Sequence, residues 1–398
     1  MLGRDAMKRL VLCCLIIIGC LNSPITVAAS PSPAPADANA DLSMLDQVST
    51  EELEESWNQL NQQYGDYLPS FHTNNFREFI QSESSVESSG WFSGILEFFF
   101  HELLLNGKLL ASLLFLTLFS TLLHSVQSAF ENSVVSKIAY MVVYLVLLTL
   151  ALESFRQVIE YTLGAIERMS SFMIGLIPLL LGIMASFSHL MSISFFHPII
   201  IALVQSSGLL VKYLLIPLFA SSALLLIVGS LNETYKVDQL AELLRKTGMA
   251  IMGVFLTIFL GVISVQGTVT AVQDGITMKT ARFVTGNFVP VVGRLFTDAT
   301  DTILGASLVL KNTLGIAGVV ILLGIAVFPA IKVLAIALIY KIAAALLQPL
   351  GDGPIIQAMD VVSRHILYIF AALLMVSMMF FLVIVIMVAA SNITMMVR

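Results

Sequence analysis

Apolar runs separated by short polar breaks dominate the chain from about residue 103 to its end. A helix that crosses a bilayer needs about 20 mostly apolar residues. Residues 109–127, 138–152, 172–191, 249–270 and 366–390 meet or approach that need, and the last carries no charge at all. Two further runs are too long for one crossing. Residues 199–231 would extend about 50 Å at 1.5 Å per residue, against a hydrocarbon core of about 30 Å. Pro217 stands midway in that run, just after Lys212, and residues 313–348 repeat the arrangement with Pro329 followed by Lys332. Proline removes an intrahelical hydrogen bond and kinks a helix. Each run is therefore expected to be two short helices or one broken helix. The pattern predicts an all-α, polytopic helical membrane protein with about 7–9 spans, broken or re-entrant helices, and a small helical region outside the membrane.

The first hundred residues follow another pattern. Residues 1–29 read as a signal peptide: Arg4, Lys8 and Arg9 precede a short apolar stretch, Leu10 to Leu21, and Val27-Ala28-Ala29 supplies small residues at a cleavage position. Met7 would serve as an alternative start. An uncleaved anchor is a second reading, and lipidation at Cys20 within Ile17-Ile18-Gly19-Cys20 is a third. Residues 30–42, rich in Pro, Ala, Ser and Asp, form a linker. Over 43–80, Leu45, Val48, Leu53, Trp57, Leu60 and Tyr64 recur at helical spacing, with Glu51, Glu52, Glu54 and Glu55 clustered early and Pro69 as a stop. A second short helix is expected from Asn74 to Ile80. The acidic region 30–102 is too short to build a core of its own. It either packs on the membrane domain 103–398 or acts as a solvated spacer.

Composition supports the membrane reading. Hydrophobic residues make up 58% and charged residues 12% of the 398, against roughly 45–50% and 25% in soluble domains. That balance excludes a soluble enzyme, a disordered chain and a nucleic-acid binder. The net charge of −6 arises in 30–102, where Arg77 is the sole basic residue among the acids; the membrane part is mildly basic. All three cysteines (Cys13, Cys14, Cys20) fall in the leader. A chain cleaved after Ala29 has no thiol for disulfides, metal ligation or nucleophilic chemistry. If the leader is cleaved, the acidic region lies outside the cell membrane. Splitting 199–231 then puts Lys236, Arg245 and Lys246 inside but the basic residues of 279–311 outside, against the positive-inside rule. Charge alone leaves the topology open.

The stretch 271–312 mixes apolar residues with Lys279, Arg282, Arg294, Asp298, Asp301 and Lys311. With Gly286-Asn287 as a turn and Pro290 early in a helix, Arg294, Asp298, Asp301 and Gly305 fall on one stripe, and Arg294 and Asp298 pair across one turn. The segment is expected to be an amphipathic helix, re-entrant or interfacial. Arg282, Arg294, Asp298, Asp301 and Lys311 are candidates for a polar pathway or a partner-docking face; an interfacial helix with solvated charges is the plainer reading. Pro217, Gly286, Pro290 and Pro329 are candidate helix breaks.

No catalytic motif emerges. Gly107-Lys108 lacks the rest of a P-loop, and His101-Glu102 lacks the second histidine of a zinc-protease helix. His189 and His197 have no carboxylate nearby to complete a metal site. Pro349-Leu350-Gly351-Asp352 resembles the intramembrane aspartyl-protease signature but has proline where that motif needs glycine. Ser206-Ser207-Gly208 lacks the opening glycine of a nucleophile elbow. The expectation is no enzyme, no cofactor and no metal.

Longer strings carry a resemblance. They include Thr257-Ile258-Phe259-Leu260-Gly261-Val262-Ile263-Ser264-Val265-Gln266-Gly267, Asp274-Gly275-Ile276-Thr277 and Thr285-Gly286-Asn287-Phe288-Val289-Pro290-Val291-Val292-Gly293-Arg294. Thr297-Asp298-Ala299-Thr300-Asp301-Thr302, Phe328-Pro329-Ala330-Ile331-Lys332, Gln348-Pro349-Leu350-Gly351 and the ending Asn392-Ile393-Thr394-Met395-Met396-Val397-Arg398 continue it. In these strings the chain resembles the stage III sporulation protein AE family of endospore-forming Gram-positive bacteria, over nearly all of the mature chain and most weakly in 30–90. The resemblance implies a multi-pass protein of the mother-cell membrane surrounding the forespore. It implies partners among the other sporulation A-set membrane and ring proteins, including a cytoplasmic ATPase, and indirectly the forespore protein Q. Together these would form a secretion-like channel complex between mother cell and forespore. The family brings no catalytic residues. Besides these proteins the partner is the lipid bilayer, with no nucleic acid.

Two functions follow from different classes. One is a non-enzymatic membrane subunit of that channel complex, needed for forespore development after engulfment. The other is a stand-alone secondary transporter, suggested by the interrupted helices at Pro217 and Pro329. Solute uptake by the purified chain in liposomes would favour the transporter.

Overall fold

The computed structural model describes residues 51–67, 76, 88–129, 134–185, 190–230, 237–288, 292–350 and 353–396. For Glu52, 88–89, 123–129, 134–137, Tyr140, 183–185, 190–197, 266–288, 292–312, Leu350 and 389–396 the description is of the backbone. The proposed signal peptide, the linker 30–42, Leu45, Val48 and Pro290 lie outside the described residues.

Nine α-helices account for most of what is described: α1 Glu51–Tyr64, α2 Ser88–Leu105, α3 Gly107–Ala129, α4 Val134–Ala185, α5 Leu190–Leu210, α6 Ile216–Gly229, α7 Asp238–Phe288, α8 Val292–Leu347 and α9 Pro354–Met396. No strand occurs among the described residues. Among the described residues, five stretches are long and apolar enough to cross a membrane: Met141–Gly182, Pro198–Gly229, Asp238–Val265, Thr313–Leu347 and Pro354–Val388. The pair Gly90–Leu105 and Gly107–Leu122, bent by 42°, makes a sixth if counted as one broken span. This is fewer than the seven to nine read from hydropathy, because apolar runs counted separately belong to single helices. Residues 138–152 and 172–191 are read as two spans from the sequence. The first lies wholly within the 52-residue α4, which runs about 78 Å at 1.5 Å per residue and takes in 172–185 as well.

The two long runs are each continuous. Pro217 has no N–H for the carbonyl four residues back, and the chain responds with a π-turn, Val211–Leu215, in which the Ile216 N–H reaches back to the Val211 carbonyl. α6 starts directly after it, with Pro217 in its first turn. α8 runs through Pro329. The stretch 271–312 continues the helices on either side of it: α7 extends to Phe288, with Gly286 in its last turn, and α8 begins at Val292.

The core is built around α8 and α9, which pack antiparallel to each other and both against α4. Close approach relies on small residues, as between membrane helices generally. A Cβ on Gly315 would collide with Val388 of α9, and one on Gly318 would lie 2.8 Å from Leu176 of α4. Cross-helix hydroxyl bonds set the register. Tyr340 Oη meets Ser154 Oγ at 2.9 Å, Tyr144 Oη donates to the Ile227 carbonyl at 2.7 Å, and Ser363 Oγ donates to the Ala337 carbonyl at 2.9 Å. The end of the bundle where α6 gives way to α7 and α8 to α9 is called proximal here; the opposite end, from which α7 and α8 continue, is distal. Charges gather near the proximal end. Asp360 of α9 pairs with Lys341 of α8 and with Arg364, and Glu242 of α7 with Lys246 and Arg245.

Candidate functional site

The N-terminal helix α1 is amphipathic. Leu53, Trp57, Leu60 and Tyr64 are buried, while Asn58, Gln59, Gln62 and Gln63 are exposed. The sequence spacing placed the same four residues on one face, and the structure supplies the surface they cover. α1 packs on α8 and α4, with Gly324 of α8 lying under Leu60. Tyr64 stacks on Phe328 of α8 at 4.0 Å between ring centroids and 5° between planes. Phe98 of α2 meets both rings edge-on, at 5.7 and 4.9 Å.

One turn beyond Phe328, after Pro329, stands Lys332. Its ammonium lies 5.9 Å from the ring centre of Tyr64 and 5.4 Å from that of Tyr161 on α4. No carboxylate lies within salt-bridge distance of it among the described residues. A half-buried lysine in an apolar span is thus held by two aromatic faces, whose quadrupoles attract cations. Glu102 is close to this group and is itself buried, at the bend between α2 and α3. Asn106 Nδ2 donates to its carboxylate at 3.1 Å and to its backbone carbonyl at 2.9 Å. Burial pushes the Tyr64 phenol up; Arg168 pulls it down, and Glu102 and Tyr161 add to the rise. Ionisable groups at membrane depth are costly and mark functional positions. Here Lys332, Glu102, Tyr64 and Tyr161 form one such group under α1, with Arg168 exposed at its edge.

This group explains an expected pair of outcomes. Lys332→Met keeps the stem that packs on the rings and removes only the cation, whose attraction is worth about 0.5–2 kcal/mol; α1 should stay docked. Lys332→Glu sets an anion against two electron-rich faces, and α1 should come loose. Limited proteolysis in detergent, read as the rate of cleavage within α1, separates the two.

A second polar group joins α6, α7 and α9 near the proximal end. Ser222 Oγ donates to the Ala241 carbonyl at 2.7 Å and lies 3.0 Å from His365 Nε2, whose Nδ1 lies 2.8 Å from the Val361 carbonyl. Arg245 donates to Tyr368 Oη at 2.9 Å. These are satisfied pairs that tie helices together.

The candidates named from sequence fall elsewhere. Arg282 lies in α7, and Arg294, Asp298, Asp301 and Lys311 lie in the first part of α8; their side chains are outside the described residues. None of the aromatic–cation group was picked out as a site. The available signals were Lys332 just after Pro329 and His101-Glu102 within an apolar stretch. The rings of Tyr64 and Tyr161 come from far away in the chain. No group of three or more metal-ligating side chains occurs among the described residues.

A family model described as stage III sporulation protein AE matches residues 72–391. The chain is 49% identical over 351 residues to "Stage III sporulation protein AE" of Bacillus subtilis strain 168, covering 88% of each chain. No solved structure matches. The family match takes in α2 through α8 and nearly all of α9, and the chain belongs to the stage III sporulation protein AE family.

Proposed function

We propose that this sporulation membrane protein is a non-enzymatic subunit of a channel complex joining mother cell and forespore, located in the mother-cell membrane around the forespore. Its partners would be the other A-set membrane and ring proteins with their cytoplasmic ATPase, and indirectly the forespore protein Q. The observation that carries the reading is the 49% identity across 88% of both chains to a stage III sporulation protein, in a chain whose apolar helices account for most of that length. The polar outer face of α1 adds support: a helix docked on an apolar span yet covered in Glu, Gln and Asn is built to meet water or protein, not lipid.

Deleting the gene should leave engulfment intact and stop development directly after it, scored by fluorescence microscopy of membranes and by heat-resistant spore counts. A deletion strain with normal spore counts would overturn the proposal.

A further inference from the structure

Midway along α4 the exposed face is polar. Thr149, Glu153, Arg156, Glu160, Glu167 and Ser171 are exposed and follow one another at spacings of three, four or seven, which places them on one helical stripe. Phe155, Val158, Ile166 and Met169 are buried on the other side. The Glu153, Arg156, Glu160 and Glu167 side chains are 49%, 65%, 61% and 65% exposed, and Lys212 of the neighbouring π-turn, paired with Glu167, is 43% exposed.

The stripe lies at the depth of the apolar spans. Ser154 meets Tyr340, whose neighbour Lys341 pairs with Asp360 in the proximal charge layer. Higher up, Ser377 Oγ lies 3.5 Å from Met169 Sδ, and Ser377 is midway along the uncharged stretch of α9. Glu153 to Glu167 therefore spans about 21 Å at 1.5 Å per residue, from the proximal layer to mid-depth. The exposed face of α7 at that depth is apolar. α7 and α9 run in the same direction with Arg245 bonded to Tyr368. Nine residues on, Val254 is level with Ser377, and it is 59% exposed.

Lipid is a poor neighbour for such charges. A protein partner with matching charges is not demanded either, because the carboxylates already have cations. Arg156 pairs with Glu153 at 3.1 Å and Glu160 at 3.5 Å, and Lys212 with Glu167 at 3.2 Å. Ion pairs that stay exposed, with one arginine shared between two carboxylates, suit a medium of high dielectric constant. We propose that the α4 stripe and Lys212 border a water-filled vestibule that opens at the proximal end and reaches mid-depth, admitting water and small hydrophilic solutes. The inference rests on the channel-subunit reading for its purpose.

The test is cysteine labelling of the full-length chain in its native membranes, in a variant without Cys13, Cys14 and Cys20 that still supports sporulation. Single changes Gly164→Cys, Ser171→Cys and Val254→Cys are treated with a charged, membrane-impermeant maleimide in vesicles of both orientations. A Cβ at Gly164 meets only Arg168 Nη1, at 3.9 Å, so that variant should fold. Ser171→Cys is a second, neutral probe. The thiolate is the reactive form and needs water, so both should label at least about tenfold faster than Val254→Cys, and from one side. Labelling no faster than Val254→Cys would overturn the vestibule, whether the face lies on lipid or under another protein. So would labelling that appears only when the chain is made without its sporulation partners. The labelling reports on this chain whatever the deletion phenotype is, so failure of the vestibule and failure of the channel-subunit reading are distinguishable.

Discussion

Trp57→Ala should free the N-terminal helix from the bundle at a cost of about 3–5 kcal/mol, the range for truncating a fully buried large aromatic. Trp57 is 0% exposed and occupies the centre of the face that α1 lays on α8 and α4. α1 has only 14 residues, too few to persist as an isolated helix in water, so its structure depends on this docking. Once undocked, it should be cut rapidly by protease, and Lys332 would lose the Tyr64 ring. Gln59→Ala and Gln62→Ala lie on the exposed face and should change neither the cleavage rate nor the midpoint of thermal unfolding in detergent. If Trp57→Ala leaves α1 as resistant as in the parent chain, the docking described here is wrong.

Gly315→Leu should prevent the protein from accumulating in the membrane. The α8–α9 contact is the most extensive in the bundle, and any side chain at Gly315 collides with Val388. Overpacking a well-filled core costs about 1–3 kcal/mol and sometimes more, and leucine adds four carbons where even one does not fit. Gly318→Leu should be nearly as damaging through Leu176. A Cβ at Gly253 or Gly261 on α7 meets nothing within 4 Å and both positions are exposed, so Gly253→Leu and Gly261→Leu should be tolerated. Immunoblots of membrane fractions give the comparison directly. Equal amounts of the Gly315 and Gly253 variants would contradict the packing.

The sequence carried much of this, though not evenly. The face of α1 was legible because Leu53, Trp57, Leu60 and Tyr64 obey helical spacing, and the disturbance at Pro217 was legible because proline removes a donor. Span counting failed at α4 for a definite reason. Hydropathy averages over all sides of a helix, so Glu153, Arg156, Glu160, Glu167 and Arg168 look like a break between spans. In the structure Glu153, Arg156, Glu160 and Glu167 share an exposed face while Phe155, Val158, Ile166 and Met169 keep the helix in the core. The same averaging hid the stripe. The pairing of Lys212 with Glu167 and the rings around Lys332 were illegible because they depend on which helices become neighbours. The charged candidates in 271–312 stood out in sequence because they interrupt an apolar chain. Their helical backbone is now visible in α7 and α8, and their role stays a proposal.

The most direct test of the channel-subunit reading is purification of the tagged full-length chain from sporulating cells, followed by imaging of whatever assembly it brings. The account predicts a complex that contains the ATPase and the ring proteins, with this chain embedded at its membrane base. A chain recovered alone, under conditions in which those partners are present and remain associated with one another, would contradict it.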